Sequence, residues 1–129
     1  MASYHYIGVS ELVELMDDPE HKAKLAVIDC RDADISEGFI VGSIHAPTIS
    51  YTTDMYRCLA KKLLEGKIEL AVFHCAMSQI RGPRGANRFA LVQKELGLTL
   101  PKVAVLEGGW DAFYSLYGDT RRDLYCRST

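Results

Sequence analysis

The fold and the site are decided by residues 70–83, LAVFHCAMSQIRGP. The apolar run at 70–73 is too short for a helix of its own, so it predicts a buried parallel strand. Cys75 follows at the carboxyl end of that strand, where open α/β sheets bind their ligands. Pro83 suits the first turn of a helix, which the pattern predicts over 84–96. The stretch therefore predicts a strand, a loop that begins with a cysteine, and a helix.

The loop between this strand and helix has the parts of an anion site. Its five residues can curl so that their backbone N–H groups point inward, and the dipole of the following helix faces them. Arg81 closes the ring with a planar, charged fork that suits a tetrahedral oxyanion. We expect Cys75 to be a thiolate nucleophile at neutral pH. The anion-binding loop then consists of Ala76, Met77, Ser78, Gln79, Ile80 and Arg81.

Three nearby side chains have open roles. His74 either tunes the thiolate and orients the loop, or is a buried histidine with ordinary partners at a strand end. Ser78 either donates a hydrogen bond to the thiolate or holds the shape of the loop. Arg84 and Arg88 lie about one helical turn apart on the polar face of the helix. They form a solvated basic face, or they steer anions toward Cys75.

Composition sets the class of protein. The 129 residues are 48% hydrophobic and carry a net charge of -2, which fits one globular domain over 1–129 and gives no sign of nucleic-acid binding. No apolar run is long enough to span a membrane and MASYHYIG is no signal segment, so we expect a cytoplasmic protein. No C-x-x-C pair occurs, so we expect no metal site and free thiols. The four cysteines are Cys30, Cys58, Cys75 and Cys126.

Periodicity along the rest of the chain predicts an α/β fold. Ser10 is the expected N-cap of a first helix that stops at Asp17-Asp18-Pro19, and residues 125–127 show no clear secondary structure. Alternating strands and helices imply a parallel sheet with helices on both faces. Further strands are predicted at 25–29, 43–46 and 102–106, and further helices at 53–65 and 110–117.

Two other segments resemble one family. Residues 27–31, VIDCR, with GFI at 38–40 and GSI at 42–44, resemble the N-terminal signature of rhodanese-like domains, and residues 105–110, VLEGGW, resemble the C-terminal one. The resemblance covers nearly the whole chain and implies a single rhodanese-like domain. The signature usually has a histidine where this chain has Phe39, a change expected to affect loop packing more than chemistry.

The resemblance also assigns roles and a subfamily. It makes the Asp29 and Arg31 pair structural. Rhodanese sulfurtransferases have a loop one residue shorter than the Cys75-to-Arg81 loop, whose length matches the cell-cycle dual-specificity phosphatases and the eukaryotic arsenate reductases. The sequence is most similar to the protozoan arsenate and antimonate reductases, in which phosphatase activity is also known. That similarity implies arsenate, antimonate and phosphate esters as substrates, no bound cofactor, glutathione as reductant and glutaredoxin as partner.

Loop chemistry favours reductase over phosphatase. A phosphatase must expel an alkoxide or phenoxide, which normally needs a general acid, and the loop residues 76–80 include no acidic side chain. Arsenate loses only water or hydroxide, so it needs less help. Hydrolysis of activated aryl phosphates remains compatible with this loop, and a phosphatase as the main role stays the alternative. A sulfurtransferase is disfavoured by loop length, and a non-catalytic module by the intact Cys75 and Arg81.

A second protein thiol finishes the reaction in several classes of arsenate reductase. Cys30 follows a neighbouring parallel strand at the same sheet edge as Cys75, and Cys126 lies in the C-terminal tail. We expect neither to be required, because the class that this chain resembles uses external glutathione.

Overall fold

A five-stranded parallel sheet forms the centre of the protein, which the computed structural model describes for residues 4–127. The strand order is β1-β6-β5-β2-β4, and every neighbouring pair is parallel. These strands are β1 (His5–Ile7), β2 (Leu25–Asp29), β4 (Ile44–His45), β5 (Leu70–His74) and β6 (Lys102–Leu106). A small antiparallel sheet pairs β3 (Phe39–Ile40) with β7 (Tyr125–Cys126).

Helices cover both faces of the sheet, as the alternating pattern predicts. The helices are α1 (Val9–Asp17), α2 (Pro19–Lys22), α3 (Thr53–Glu65), α4 (Arg81–Leu96) and α5 (Gly109–Tyr117). Alternate residues of the central strands enter two apolar clusters: Phe73 packs with the α3 and α4 side chains, and Val72 with those of α1 and α5. Burial on both faces explains why the central strands are apolar throughout.

The predicted helix boundaries hold at α3 and shift at the starts of three other helices, of which α5 begins at Gly109, one residue earlier than predicted. The Thr52 side chain caps α3 by accepting from the Met55 N–H at 3.2 Å, as its sequence position allows. The predicted N-cap Ser10 is wrong, because α1 already begins at Val9 and Gly8 occupies the cap. α4 begins at Arg81 and not at residue 84, so the arginine belongs to the first turn of the helix.

Residues 125 and 126 form a short strand, which corrects the prediction of no secondary structure there. Tyr125 and Cys126 pair antiparallel with Ile40 and Phe39. The Tyr125 ring also meets the Trp110 ring edge-on at 6.0 Å between centroids. Two-residue strands are held by such tertiary contacts, since they are too short to show a period of their own. No helix in the stretch 4–127 has both the length and the apolar character needed to cross a membrane.

Candidate functional site: an oxyanion loop between β5 and α4

The loop 75–80 lies where the sequence predicts it, between the end of β5 and the start of α4. Cys75 is only 3% exposed and follows the central strand of the sheet. Gly82 lies against it: a Cβ there would be 3.2 Å from the Cys75 nitrogen. The first turn of α4 therefore packs directly on the strand end and closes the loop tightly around the cysteine.

The first residues of α5 hold the loop through backbone hydrogen bonds. The Trp110 N–H donates to the Cys75 carbonyl at 3.0 Å, and the Asp111 N–H donates to the Ala76 carbonyl at 2.9 Å. Gly109 permits this approach, because its φ is +60° and a Cβ there would come within 2.8 Å of the Ala76 oxygen. The first two loop carbonyls are thus turned toward α5.

The loop amides are left without protein acceptors. Within residues 4–127, none of the backbone N–H groups of 76–80 donates a hydrogen bond to another part of the chain. Ser78 has a left-handed backbone with φ +55°, and its Oγ accepts from the Cys75 N–H at 3.4 Å. That contact stabilises the loop shape. Successive free N–H groups at a helix N-terminus form a concave site for an anion.

Arg81 is held by two carboxylates that the sequence reasoning missed. Its side chain is 30% exposed, and its NH1 donates to Asp32 Oδ1 at 2.7 Å and to Asp34 Oδ1 at 2.8 Å. Its NH2 donates to Asp34 Oδ2 at 2.8 Å. The hydrogen bonds with Asp34 raise the pKa of Arg81, and those with Arg81 lower the pKa of Asp34. Both groups therefore stay charged at neutral pH.

His74 contacts the backbone of the loop. Its Nδ1 lies 3.1 Å from the Cys75 carbonyl oxygen, and its Nε2 lies 3.7 Å from Asp29 Oδ2. Nε2 makes no hydrogen bond within the described part of the chain. Burial lowers the pKa of His74, so the ring is neutral near pH 7. The geometry places His74 as a support for the loop backbone.

A buried ion pair lies at the end of β2, and the family resemblance implies a structural role for it. Arg31 NH2 donates to Asp29 Oδ2 at 2.7 Å and to the Gly38 carbonyl at 2.6 Å. The Arg31 guanidinium also stacks over the Trp110 ring, 4.9 Å from its centroid. Burial opposes ionisation of Asp29, but the hydrogen bonds from Arg31 and charge attraction together outweigh it and hold the pKa of that carboxyl below its usual range.

Cys30 is the thiol beside Cys75. The register pairs Asp29 with His74, so Cys30 and Cys75 are the next residues on neighbouring parallel strands. The Cys30 N–H donates to the His74 carbonyl at 2.7 Å. Burial raises the pKa of Cys30 to about 12, so it is a neutral thiol and a weak nucleophile. Cys126 lies opposite Phe39 in the small sheet.

The two helix arginines differ in their contacts. Arg88 NH1 donates to the Thr48 carbonyl at 3.1 Å, which ties α4 to the segment after β4. The Arg84 side chain is exposed and makes no hydrogen bond to another residue of 4–127. Both side chains are exposed, and Arg84 differs from Arg88 only in having no hydrogen-bond partner within the described residues. Residues 4–127 also contain no cluster of three or more His, Cys, Asp or Glu side chains that could hold a metal ion.

The comparisons with known proteins define the class. The rhodanese-like domain model matches residues 8–116, and the chain therefore belongs to the rhodanese-like domain family. The expected family and the α/β fold are both confirmed.

Particular relatives are reductases and phosphatases. The solved structure of the As-Sb reductase from Leishmania major is 61% identical, with a TM-score of 0.96 over 98% of this chain and 87% of that one. Arsenate reductase 2.2 from Oryza sativa subsp. japonica is 32% identical, covering 84% of this chain and 80% of its own length. A dual specificity phosphatase from Arabidopsis thaliana is 33% identical, covering 85% of this chain and 75% of its own length.

Proposed function

We propose that this protein reduces arsenate and antimonate, with Cys75 as nucleophile and with the loop amides and Arg81 as the oxyanion site. The proposal rests on the free N–H groups of 76–80, which lie between a buried cysteine and an arginine. The similarity to the Leishmania As-Sb reductase supports this choice of substrates. Residues 1–129 act in this proposal as one catalytic domain.

The first step forms a bond between sulfur and arsenic. The Cys75 sulfur attacks As(V), and one arsenate oxygen leaves as water or hydroxide. Loop amides and Arg81 stabilise the charge that develops on the remaining oxygens. Two glutathione thiols then supply two electrons and become one disulfide. The bond between Cys75 sulfur and arsenic breaks, so the thiolate is regenerated and arsenic is released as As(III). Glutaredoxin is the proposed protein partner for the thiol exchange, and the need for glutathione agrees with a cytoplasmic location.

The geometry favours reduction over hydrolysis of alkyl phosphates. A general acid must hold a proton at working pH, and Arg81 keeps the Asp34 carboxyl ionised. Asp34 therefore has no proton to give to a poor leaving group. Arsenate makes no such demand, since water or hydroxide is its leaving group. Aryl phosphates with good leaving groups can still be hydrolysed, so we propose an accompanying activity on them.

A phosphatase as the main role is the second candidate. It is favoured by the Arabidopsis relative, which is named as a dual specificity phosphatase. Both reactions begin with the same thiolate attack on a tetrahedral oxyanion, so one site serves either.

One paired assay separates the two functions. NADPH oxidation is followed with arsenate, glutathione, glutaredoxin and glutathione reductase, beside release of nitrophenol from a nitrophenyl phosphate. We expect arsenate-dependent oxidation that disappears when glutathione or glutaredoxin is left out. The Cys75→Ser protein serves as the blank for both reactions. Hydrolysis without any arsenate-dependent oxidation would overturn the reductase proposal in favour of the phosphatase.

A further inference from the structure

Two aspartates on a separate element hold the arginine of the oxyanion loop. Asp32 and Asp34 follow β2, the strand next to β5, and Arg81 begins α4. All three contacts between them are between 2.7 and 2.8 Å. We refer to Asp32 and Asp34 as the carboxylate clamp. Two carboxylates bound to the arginine of an anion site need a physical explanation, because their negative charges repel an anionic substrate.

The reason lies in which N–H groups the clamp uses. A guanidinium has five N–H donors. NH1 gives both of its hydrogens to the clamp, one to each aspartate, and NH2 gives one to Asp34. The remaining two are the Nε–H and the second NH2 hydrogen, which lie parallel on one edge of the planar group. A pair of parallel N–H donors binds two oxygens of a single oxyanion.

The backbone of Asp34 is itself held by a hydrogen bond. Arg31, which is buried and paired with Asp29, donates from NH1 to the Asp34 carbonyl at 3.4 Å. On the other side of the site, the Thr48 Oγ donates to the Arg81 carbonyl at 2.7 Å. The backbones of Asp34 and Arg81 are therefore each tied to a residue outside the contact between their side chains.

We propose that Asp32 and Asp34 are positioning residues that orient Arg81 so that its Nε edge is presented to the oxyanion. This inference rests on the proposed oxyanion site. Asp34 makes two of the three contacts and carries most of the effect. The clamp orders the side chain before substrate arrives, so binding does not have to restrict its rotation.

Charge and positioning predict opposite results, which makes the idea testable. Removing a negative charge beside an anion site should, by electrostatics alone, tighten anion binding. Loss of positioning should weaken it. In Asp34→Asn we expect the Kd for arsenate, measured by calorimetry, to rise several-fold. We expect kcat/KM for nitrophenyl phosphate and for arsenate to fall by about tenfold or more.

Matched variants separate positioning from general damage. Asp34→Glu keeps a two-oxygen carboxylate and should recover most of the lost rate. Asp32→Asn removes one contact and should cost less than Asp34→Asn. Glu37 lies with Asp34 in the short helical segment Ala33–Glu37, and Glu37→Gln removes an exposed charge there and should leave the kinetics unchanged. Should Asp34→Asn fail to fold, Asp32→Asn gives the same test with a smaller effect.

A double mutant asks whether Asp34 acts through Arg81. In an Arg81→Lys background, Asp34→Asn should change kcat/KM by no more than about twofold, because the planar fork is already absent. An equal loss in both backgrounds, or an arsenate Kd that falls or stays constant in Asp34→Asn, would overturn the positioning role. If the wild-type protein does not reduce arsenate, the proposed function is wrong. The arsenate Kd values of the wild type and the variants still test whether the carboxylate clamp positions Arg81.

Discussion

Two arginines bind aspartates at or just after the end of β2: Arg31 binds Asp29, and Arg81 binds the carboxylate clamp. The two groups differ in exposure and in how many arginine N–H donors have no partner. The Arg31–Asp29 pair is 1% and 0% exposed, and four of the five side-chain N–H groups of Arg31 are used inside the protein. Arg81 is 30% exposed and keeps two. The buried pair has almost all of its donors occupied within the fold, whereas the half-exposed group retains donors for a ligand. Substitutions should therefore separate stability from catalysis.

The largest expected effect is on activity alone. Cys75→Ser should abolish both arsenate reduction and nitrophenyl phosphate hydrolysis, because an alcohol at this site has no base to activate it. The melting temperature should stay close to that of the wild type. The measurement is the paired assay together with a thermal melt. Residual activity above a few per cent in either reaction would contradict a shared nucleophile.

Substitution in the buried Arg31–Asp29 pair should lower the free energy of unfolding. Asp29→Asn leaves Arg31 as a buried charge without its partner, and we expect unfolding to become easier by about 3–5 kcal/mol. Urea denaturation measures this change. A matched exposed variant, Asp123→Asn, breaks a surface ion pair with Arg121 and should cost much less stability than Asp29→Asn, because solvent screens exposed charges. Equal losses in the two variants would remove the distinction between the buried pair and surface pairs.

Substitution of Arg81 should lower the reaction rate more than it lowers stability. Arg81→Lys keeps the charge but loses the planar fork, so transition-state stabilisation should fall by about 2–4 kcal/mol. Steady-state kinetics give this value, and the melting temperature shows whether the fold is kept. Wild-type kinetics in Arg81→Lys would mean that the arginine only supports the structure.

A smaller effect comes from His74, the buried histidine at the end of β5. Burial lowers the pKa of His74, so the unfolded chain binds a proton that the folded state does not. Stability should therefore fall as the pH drops below about 6.5, by at most about 1.4 kcal/mol per pH unit, until the lowered pKa is passed. Urea melts between pH 7 and 5 measure the slope. His74→Gln should flatten it, and an unchanged slope would assign the effect to other groups.

The smallest effect is expected at the neighbouring thiol. Cys30 is neutral because burial raises its pKa to about 12, so Cys30→Ala should leave arsenate reduction with glutathione and glutaredoxin intact. The single replacement of Cys126 by serine should behave likewise. Loss of reduction with nitrophenyl phosphate hydrolysis retained would reveal an intramolecular resolving step.

Hydrophobic patterns predicted the strands and helices, which are formed by residues close together in the sequence. The strand at 70–73, the α3 boundaries and the parallel sheet follow from hydrophobic spacing and from the alternation of strands and helices. The contact of Arg81 with Asp32 joins residues 49 positions apart, and its geometry depends on the turn after β2. The acidic residues after β2 were a usable signal, because parallel strands bring their carboxyl ends to one sheet edge.

The hydrogen bonds from α5 to the loop have a consequence for how the site is assembled during synthesis. The motif 74–83 is contiguous, yet its carbonyls at 75 and 76 are fixed by amides at 110 and 111. A nascent chain that has emerged only as far as α4 holds every residue of the loop and lacks the donors that shape it. The oxyanion loop is therefore contiguous in sequence but completed late, once α5 has left the ribosome and docked against the sheet.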